Sequence, residues 1–154
     1  MNAITRRAAV VLVLAVAAIS AGLATLAQQV NDYRQSADGL TAYLGVMPAA
    51  IVKGDRAMHG GAPKGPHEYH VVAAIFDSTS GARVSDANVT AKISGLGLSG
   101  YETTLEPMKI ADTITYGGFT YLPGIDLYTI RLTVRRSGSA QPTVLNFKYD
   151  HRRE

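Results

Sequence analysis

Tyr69-His70-Val71-Val72-Ala73-Ala74-Ile75-Phe76 is the stretch that decides the fold. Seven of its eight residues are apolar or aromatic, and His70 is the one polar position. An extended segment needs apolar side chains on both faces only where both faces are covered, so this reads as a central strand with a second sheet against one side. Downstream, Asp77-Ser78-Thr79-Ser80-Gly81 has the composition of a turn. Val89, Ala91 and Ile93 then alternate with Asn88, Thr90 and Lys92, the pattern of a strand with one wet face. Gly95 to Gly100 predicts another turn, and Tyr101 to Glu106 a weaker strand ending at Pro107, because proline cannot donate to a ladder. Thr113–Tyr121, Leu127–Val134 and the alternating Thr143, Leu145, Phe147 and Tyr149 follow as strands. Upstream, Leu40, Ala42, Leu44 and Val46 alternate with polar or small residues up to Pro48. About seven short strands and no helical pattern over residues 40–150 predict an all-β fold, a β-sandwich.

The first 27 residues do not belong to that domain. Arg6 and Arg7 precede Ala8–Ala27, a run of twenty residues interrupted only by Ser20, Gly22 and Thr25. Its length suffices to span a bilayer, and Thr25-Leu26-Ala27 resembles a small-x-small cleavage site, so it reads as a signal peptide or a membrane anchor. In both cases the remainder is exported, which predicts a periplasmic protein, tethered to the inner membrane if the segment is retained. Membrane contact is then expected through residues 8–27 alone. Gln28–Gly39 reads as a linker and residues 151–154 as a basic, solvated tail.

Composition narrows the function classes. The chain has 154 residues, a net charge of +3 and no cysteine. The missing cysteines exclude disulfides, thiolate metal sites and a cysteine nucleophile. Residues 28–154 carry 13 Lys and Arg against 12 Asp and Glu, so the basic balance comes mostly from Arg6 and Arg7. No basic stripe remains for nucleic acid.

Several motifs fail on context. Gly95-Leu96-Gly97-Leu98-Ser99-Gly100 matches the dinucleotide fingerprint, but a strand-like sequence follows where a helix N-terminus is required. Asn88-Val89-Thr90 is a glycosylation sequon lying inside a strand. Glu102 and Glu106 share a strand face about 13 Å apart, too far for a carboxylate pair. There is no Gly-x-Ser-x-Gly elbow, and no enzyme activity is expected.

Histidine and methionine are distributed less evenly. His59, His67 and His70 lie within twelve residues, Met58 adjoins His59, and Met108 follows Glu106-Pro107. Without cysteine, imidazole and thioether are the natural transition-metal ligands; the thioether suits Cu(I), and imidazole accepts Cu(II) or Zn(II). Residues 53–68 contain four glycines and two prolines, a long irregular loop able to wrap an ion. His67 and His70 form the leading pair, followed by Met108 and Met58, then His59. Alternation points positions 67 and 70 to opposite faces, so the pairing requires residues 67–69 to bend, which the preceding Pro66 favours. The same residues also fit a metal-free role: His70 as a hydrogen-bonded core histidine, Met108 as core filler, and the loop as a partner-binding segment.

Gly124-Ile125-Asp126-Leu127-Tyr128-Thr129-Ile130 resembles the tyrosine corner of immunoglobulin-like folds, with Ile130 in the place of the usual cysteine. Residues 76–90, Phe-Asp-x-x-x-Gly-x-x-Val-x-Asp-Ala-x-Val-Thr, resemble the early hairpin of bacterial immunoglobulin-like modules. With the N-terminal segment, these features make the chain similar to small exported proteins of the YtkA/FixH-like type. That resemblance implies one immunoglobulin-like β-sandwich and, for some of these proteins, copper handling. No Met-x-x-Met signature is present. The resulting expectation is a periplasmic accessory protein binding copper, Cu(I) or Cu(II), and serving an envelope protein partner. The alternative is a metal-free protein–protein interaction module of the cell envelope.

Overall fold

The computed structural model describes residues 32–52 and 65–153. The expectations for residues 1–27, Met58 and His59 lie outside them. Eight antiparallel strands make up this region: β1 (Arg34–Ala37), β2 (Leu40–Pro48), β3 (Glu68–Asp77), β4 (Ala87–Ser94), β5 (Tyr101–Ile110), β6 (Thr113–Tyr121), β7 (Leu127–Arg136) and β8 (Thr143–Asp150). Among the described residues the only helical pieces are two 3₁₀ turns, Ala49–Ile51 and His151–Arg153. The fold is all-β, as the alternation predicts.

The strands form one ladder in the order β1-β2-β3-β6-β5-β4-β7-β8. What folds that ladder into two layers is β5. Its first half pairs with β4, from Ile93↔Tyr101 to Val89↔Leu105, and its second half pairs with β6, from Glu106↔Gly117 to Ile110↔Thr113. Pro107 therefore does not end the strand as predicted. It sits just beyond the point where β5 changes neighbours, and β5 continues to Ile110. Close approach at that corner needs a residue without a side chain on β6: a Cβ on Gly118 would stand 2.6 Å from the Thr104 carbonyl oxygen. At the far edges, Asp32 N–H donates to Lys148 C=O (3.3 Å), so the two-layered sheet is nearly closed into a barrel. Closure of this kind protects the outer strands from edge-to-edge pairing.

The eighth strand comes from the segment expected to be a linker. Asp38 and Gly39 both have positive φ, 48° and 75°, and join β1 to β2 as a two-residue hairpin. An Asp-Gly pair is the strongest short hairpin signal, because mirror-image turns match the right-handed strand twist. Ser36 and Thr41 hydroxyls bond across the pair at 2.9 Å.

The core lies between the layers. On β3 the odd positions Val71, Ala73 and Ile75 are fully buried, with Tyr69 beside them. They face Ile130, Leu132, Leu145 and Phe147 of the opposite layer in one apolar cluster. The Asp77–Gly81 turn forms as expected: Asp77 Oδ1 accepts from the backbone N–H of Thr79 and Ser80 and from the Ser80 hydroxyl.

Tyr128 anchors the β6–β7 crossing in the manner of the predicted corner. Its hydroxyl donates to Gly124 C=O at 2.9 Å and accepts from Gly124 N–H at 3.2 Å. The same carbonyl accepts from His151 Nδ1 at 2.7 Å. His151 is thus no part of a solvated tail. It is 8% exposed, its Nε2 lies 2.6 Å from the Tyr69 hydroxyl, and its backbone N–H donates to Asp126 C=O. Because a carbonyl only accepts, Nδ1 carries a proton and donates it to Gly124, while Nε2 is hydrogen-bonded to the Tyr69 hydroxyl. The tail is held because its first residue supplies a clamp between β3 and the β6–β7 loop.

Candidate metal centre

The outward face of β3, β6 and β5 carries the residues of interest. On β3 the even positions Glu68, His70, Val72 and Ala74 alternate away from the core. Val72 and Ala74 are half-buried, whereas His70 is only 4% exposed. On β5, Met108 also faces outward and is also 4% exposed. Neither belongs to the apolar core cluster, so Met108 is not filler between the layers. His70 and Met108 flank β6, the strand that runs between theirs.

Gly117, on β6, is the meeting point. A Cβ there would collide with the Met108 methyl carbon and stand 2.9 Å from both Met108 Sδ and His70 Nε2. Both donor atoms are that close to one point, so they lie within about 6 Å of each other. An ion bridging two such donors needs bonds of roughly 2.0–2.3 Å to nitrogen and sulfur. The pair is thus close enough for modest side-chain rotation to bring both onto one ion. Any residue but glycine at position 117 would fill the cradle. The imidazole is steadied by Phe119, whose ring centroid is 5.0 Å away.

Register brings further groups to this face. Met47 of β2 is the cross-strand partner of His70, and Glu106 of β5 is that of Gly117. Directly paired residues share a face, so a second thioether and a carboxylate border the His70–Met108 pair. Met47 was not singled out in the sequence; the only signal for it was its residue type, since its register with His70 is a long-range property.

His67 has a different setting. It lies in the exposed turn before β3, its ring edge-on to Tyr121 at 5.9 Å and its carbonyl accepting from Leu122 N–H. Glu68 and Tyr69 already belong to β3, so the chain turns only through Pro66 and His67, and His67 lies toward Tyr121 while His70 packs on Phe119. Among the described residues, no three His, Cys, Asp or Glu side chains group to hold a metal. The donors that converge are one imidazole and one thioether.

No protein-family model matches the chain, and no curated protein matches it in sequence. Solved structures do share its fold. A copper-bound variant of FetP from uropathogenic Escherichia coli superposes with a TM-score of 0.60 at 13% identity, over 75% of this chain and 91% of that one. A DUF4426 family protein from Pseudomonas aeruginosa gives 0.60 at 15% identity, over 80% and 95%. A copper-bound Campylobacter jejuni protein gives 0.60 at 13% identity, over 75% and 92%. At such identities the likeness is one of fold: a small β-sandwich or barrel.

Proposed function

We propose that this chain is an exported accessory protein that binds copper, Cu(I) in particular, through His70 and Met108, and acts by binding with no catalysis of its own. The observation that carries the reading is the Gly117 cradle, where an imidazole nitrogen and a thioether sulfur approach one point on a face outside the core. A thioether with an imidazole is a soft-to-borderline donor set that favours Cu(I) over hard cations. Met47 borders the same face and adds a second soft donor, and His67 stands at its rim beside Tyr121. Two of the similarly folded proteins were solved with copper bound, which supports the reading without assigning ligands here. The Ala8–Ala27 segment supports a periplasmic location. Tyr128 on Gly124 supports an immunoglobulin-like arrangement of the YtkA/FixH-like type.

The test is a Cu(I) competition titration of the protein against a chromogenic chelator under reducing conditions. The wild type is expected to bind well below micromolar. His70→Ala and Met108→Leu should each weaken binding at least tenfold, with His67→Ala doing less. Binding no tighter than micromolar in the wild type would sink the proposal and leave the metal-free interaction module.

A further inference from the structure

We infer that a hollow on the outward face of β1, β2 and β3 binds a small organic anion, a carboxylate carried on an apolar or aromatic body. Register sets its walls: Arg34 pairs with Tyr43 across β1 and β2, and Thr41 pairs with Phe76 across β2 and β3. Directly paired residues share a face, so a guanidinium, two rings and a hydroxyl stand together. Asp77 and Ser78 complete the lining of a cavity of about 410 Å³, a volume in the range of small-molecule sites. Tyr43 and Phe76 meet edge to face at 5.6 Å, and Tyr43 is 46% exposed, which leaves an apolar wall open to a ligand. Tyr43 and its partner Ala74 stand four residues along their strands from Met47 and His70, about 13 Å away, so the hollow is separate from the Gly117 cradle.

The polar groups left unused in the hollow are donors. The Tyr43 hydroxyl accepts from Arg34 Nε at 3.3 Å and keeps its own hydrogen, and the two terminal nitrogens of Arg34 have no partner among the described residues. The hydroxyls of Ser36, Thr41 and Ser78 form a chain with links of 2.9 and 2.8 Å. Three hydroxyls carry three hydrogens and two links use two, so one hydrogen is left to donate. The carboxylate in the lining is already occupied: Asp77 Oδ1 accepts from Thr79 and Ser80, and Oδ2 from Arg136 at 3.3 Å. Arg83 adds positive charge against the Phe76 ring, its guanidinium carbon 4.3 Å from the centroid and its buried Nη1 without a hydrogen-bond partner among the described residues. Asp38, in the turn next to Ser78, and Asp86, three residues after Arg83, are also close in the chain, but neither lines the hollow. A ligand here has to supply acceptors. One guanidinium fork and a hydroxyl match the two oxygens of a carboxylate, and the rings match an apolar body.

The test follows the backbone amides of Thr41, Ser78 and Gly81 by heteronuclear NMR in the full chain, held in detergent at neutral pH, while phenylacetate is added. Phenylacetate is expected to shift those amides with a Kd that is millimolar or tighter. Phenylacetamide, which has the same body without the charge, and acetate, which lacks the ring, should each bind about tenfold more weakly. Arg34→Gln, at an exposed position, is expected to weaken phenylacetate binding about tenfold, and Tyr43→Ala about fivefold. The two variants lie on different strands, so misfolding of one leaves the other to decide. Absence of shifts with phenylacetate overturns the inference, as does a folded Arg34→Gln variant that binds as tightly as the wild type. Equal binding of phenylacetamide overturns it in favour of apolar adsorption, and tighter binding of phenyl phosphate overturns it in favour of a phosphate ester.

Discussion

His70 on β3 and Met108 on β5 reach toward each other across the strand between them, and they can do so because residue 117 of that strand has no side chain. Gly117→Ala is therefore expected to act on both stability and metal. The new methyl would press on the Met108 methyl, an overpacking cost of about 1–3 kcal/mol. Separating the donors should also weaken Cu(I) binding about tenfold, equivalent to about 1.4 kcal/mol. Urea denaturation read beside the chelator titration distinguishes the two effects. An alanine variant with unchanged Cu(I) affinity would show that the cradle is not where the ion sits.

Tyr128 and His151 share the Gly124 carbonyl as acceptor. Tyr128→Phe should cost about 0.5–1.5 kcal/mol for its hydrogen bond. His151→Ala, which also strips a partner from buried Tyr69, should cost about 2–4 kcal/mol. A double-mutant cycle is expected to show coupling above about 0.5 kcal/mol, because both side chains fix one peptide. Additive losses would mean that the two anchors act independently.

Acid stability should depend on Asp77. Hydrogen bonds from Ser80 and Thr79, and from the Arg136 guanidinium at 3.3 Å, hold its carboxyl below the ordinary value of 3.8. A depressed value in the folded state contributes stability above pH 3.8, lost as pH falls through the lower folded value. Asp77→Asn is expected to flatten the acid limb of the stability–pH curve below about pH 4 and leave its shape above pH 5 unchanged. Denaturation midpoints from pH 2 to 7 provide the comparison.

The alkaline limb should report Tyr116. Its buried hydroxyl accepts from Ala87 N–H and donates to Val84 C=O, and burial raises its value above 10. Its stabilisation is complete below pH 10 and declines as pH rises through the higher folded value. Tyr116→Phe should lower stability at pH 7 by about 1–3 kcal/mol, because it strips two backbone groups of a partner. It should also reduce the further loss between pH 10 and 12, read by circular dichroism during denaturation.

One substitution should stabilise. Ala111 and Asp112 join β5 to β6 with φ of 44° and 63°, and alanine is strained in that left-handed region. Ala111→Asn places a residue suited to the first position of a mirror-image turn and is expected to add about 0.5–1 kcal/mol. A thermal shift of a few degrees upward checks it; a downward shift would mean that the turn prefers its present strain.

Much of this protein follows from short-range pattern. The two-residue alternation on β4, β7 and β8, the apolar run of β3, the Asp77 turn and the Tyr128 anchor are all local, because strand faces and turn chemistry depend on residues close in the chain. Asp38-Gly39 was equally local, and its hairpin signal was present in a segment read as linker. The rest depended on register and crossing. Pro107 could continue a strand because β5 changes partners there, and His151 could be buried because Tyr69 and Gly124 converge on it from distant segments. The sequence supplied His70 and Met108 as candidate donors beside His67, Met58 and His59. Only the β3-β6-β5 order selects the first two as neighbours, since which donors meet is fixed by pairings between residues far apart in the chain, and Gly117 supplies the space in which they do so.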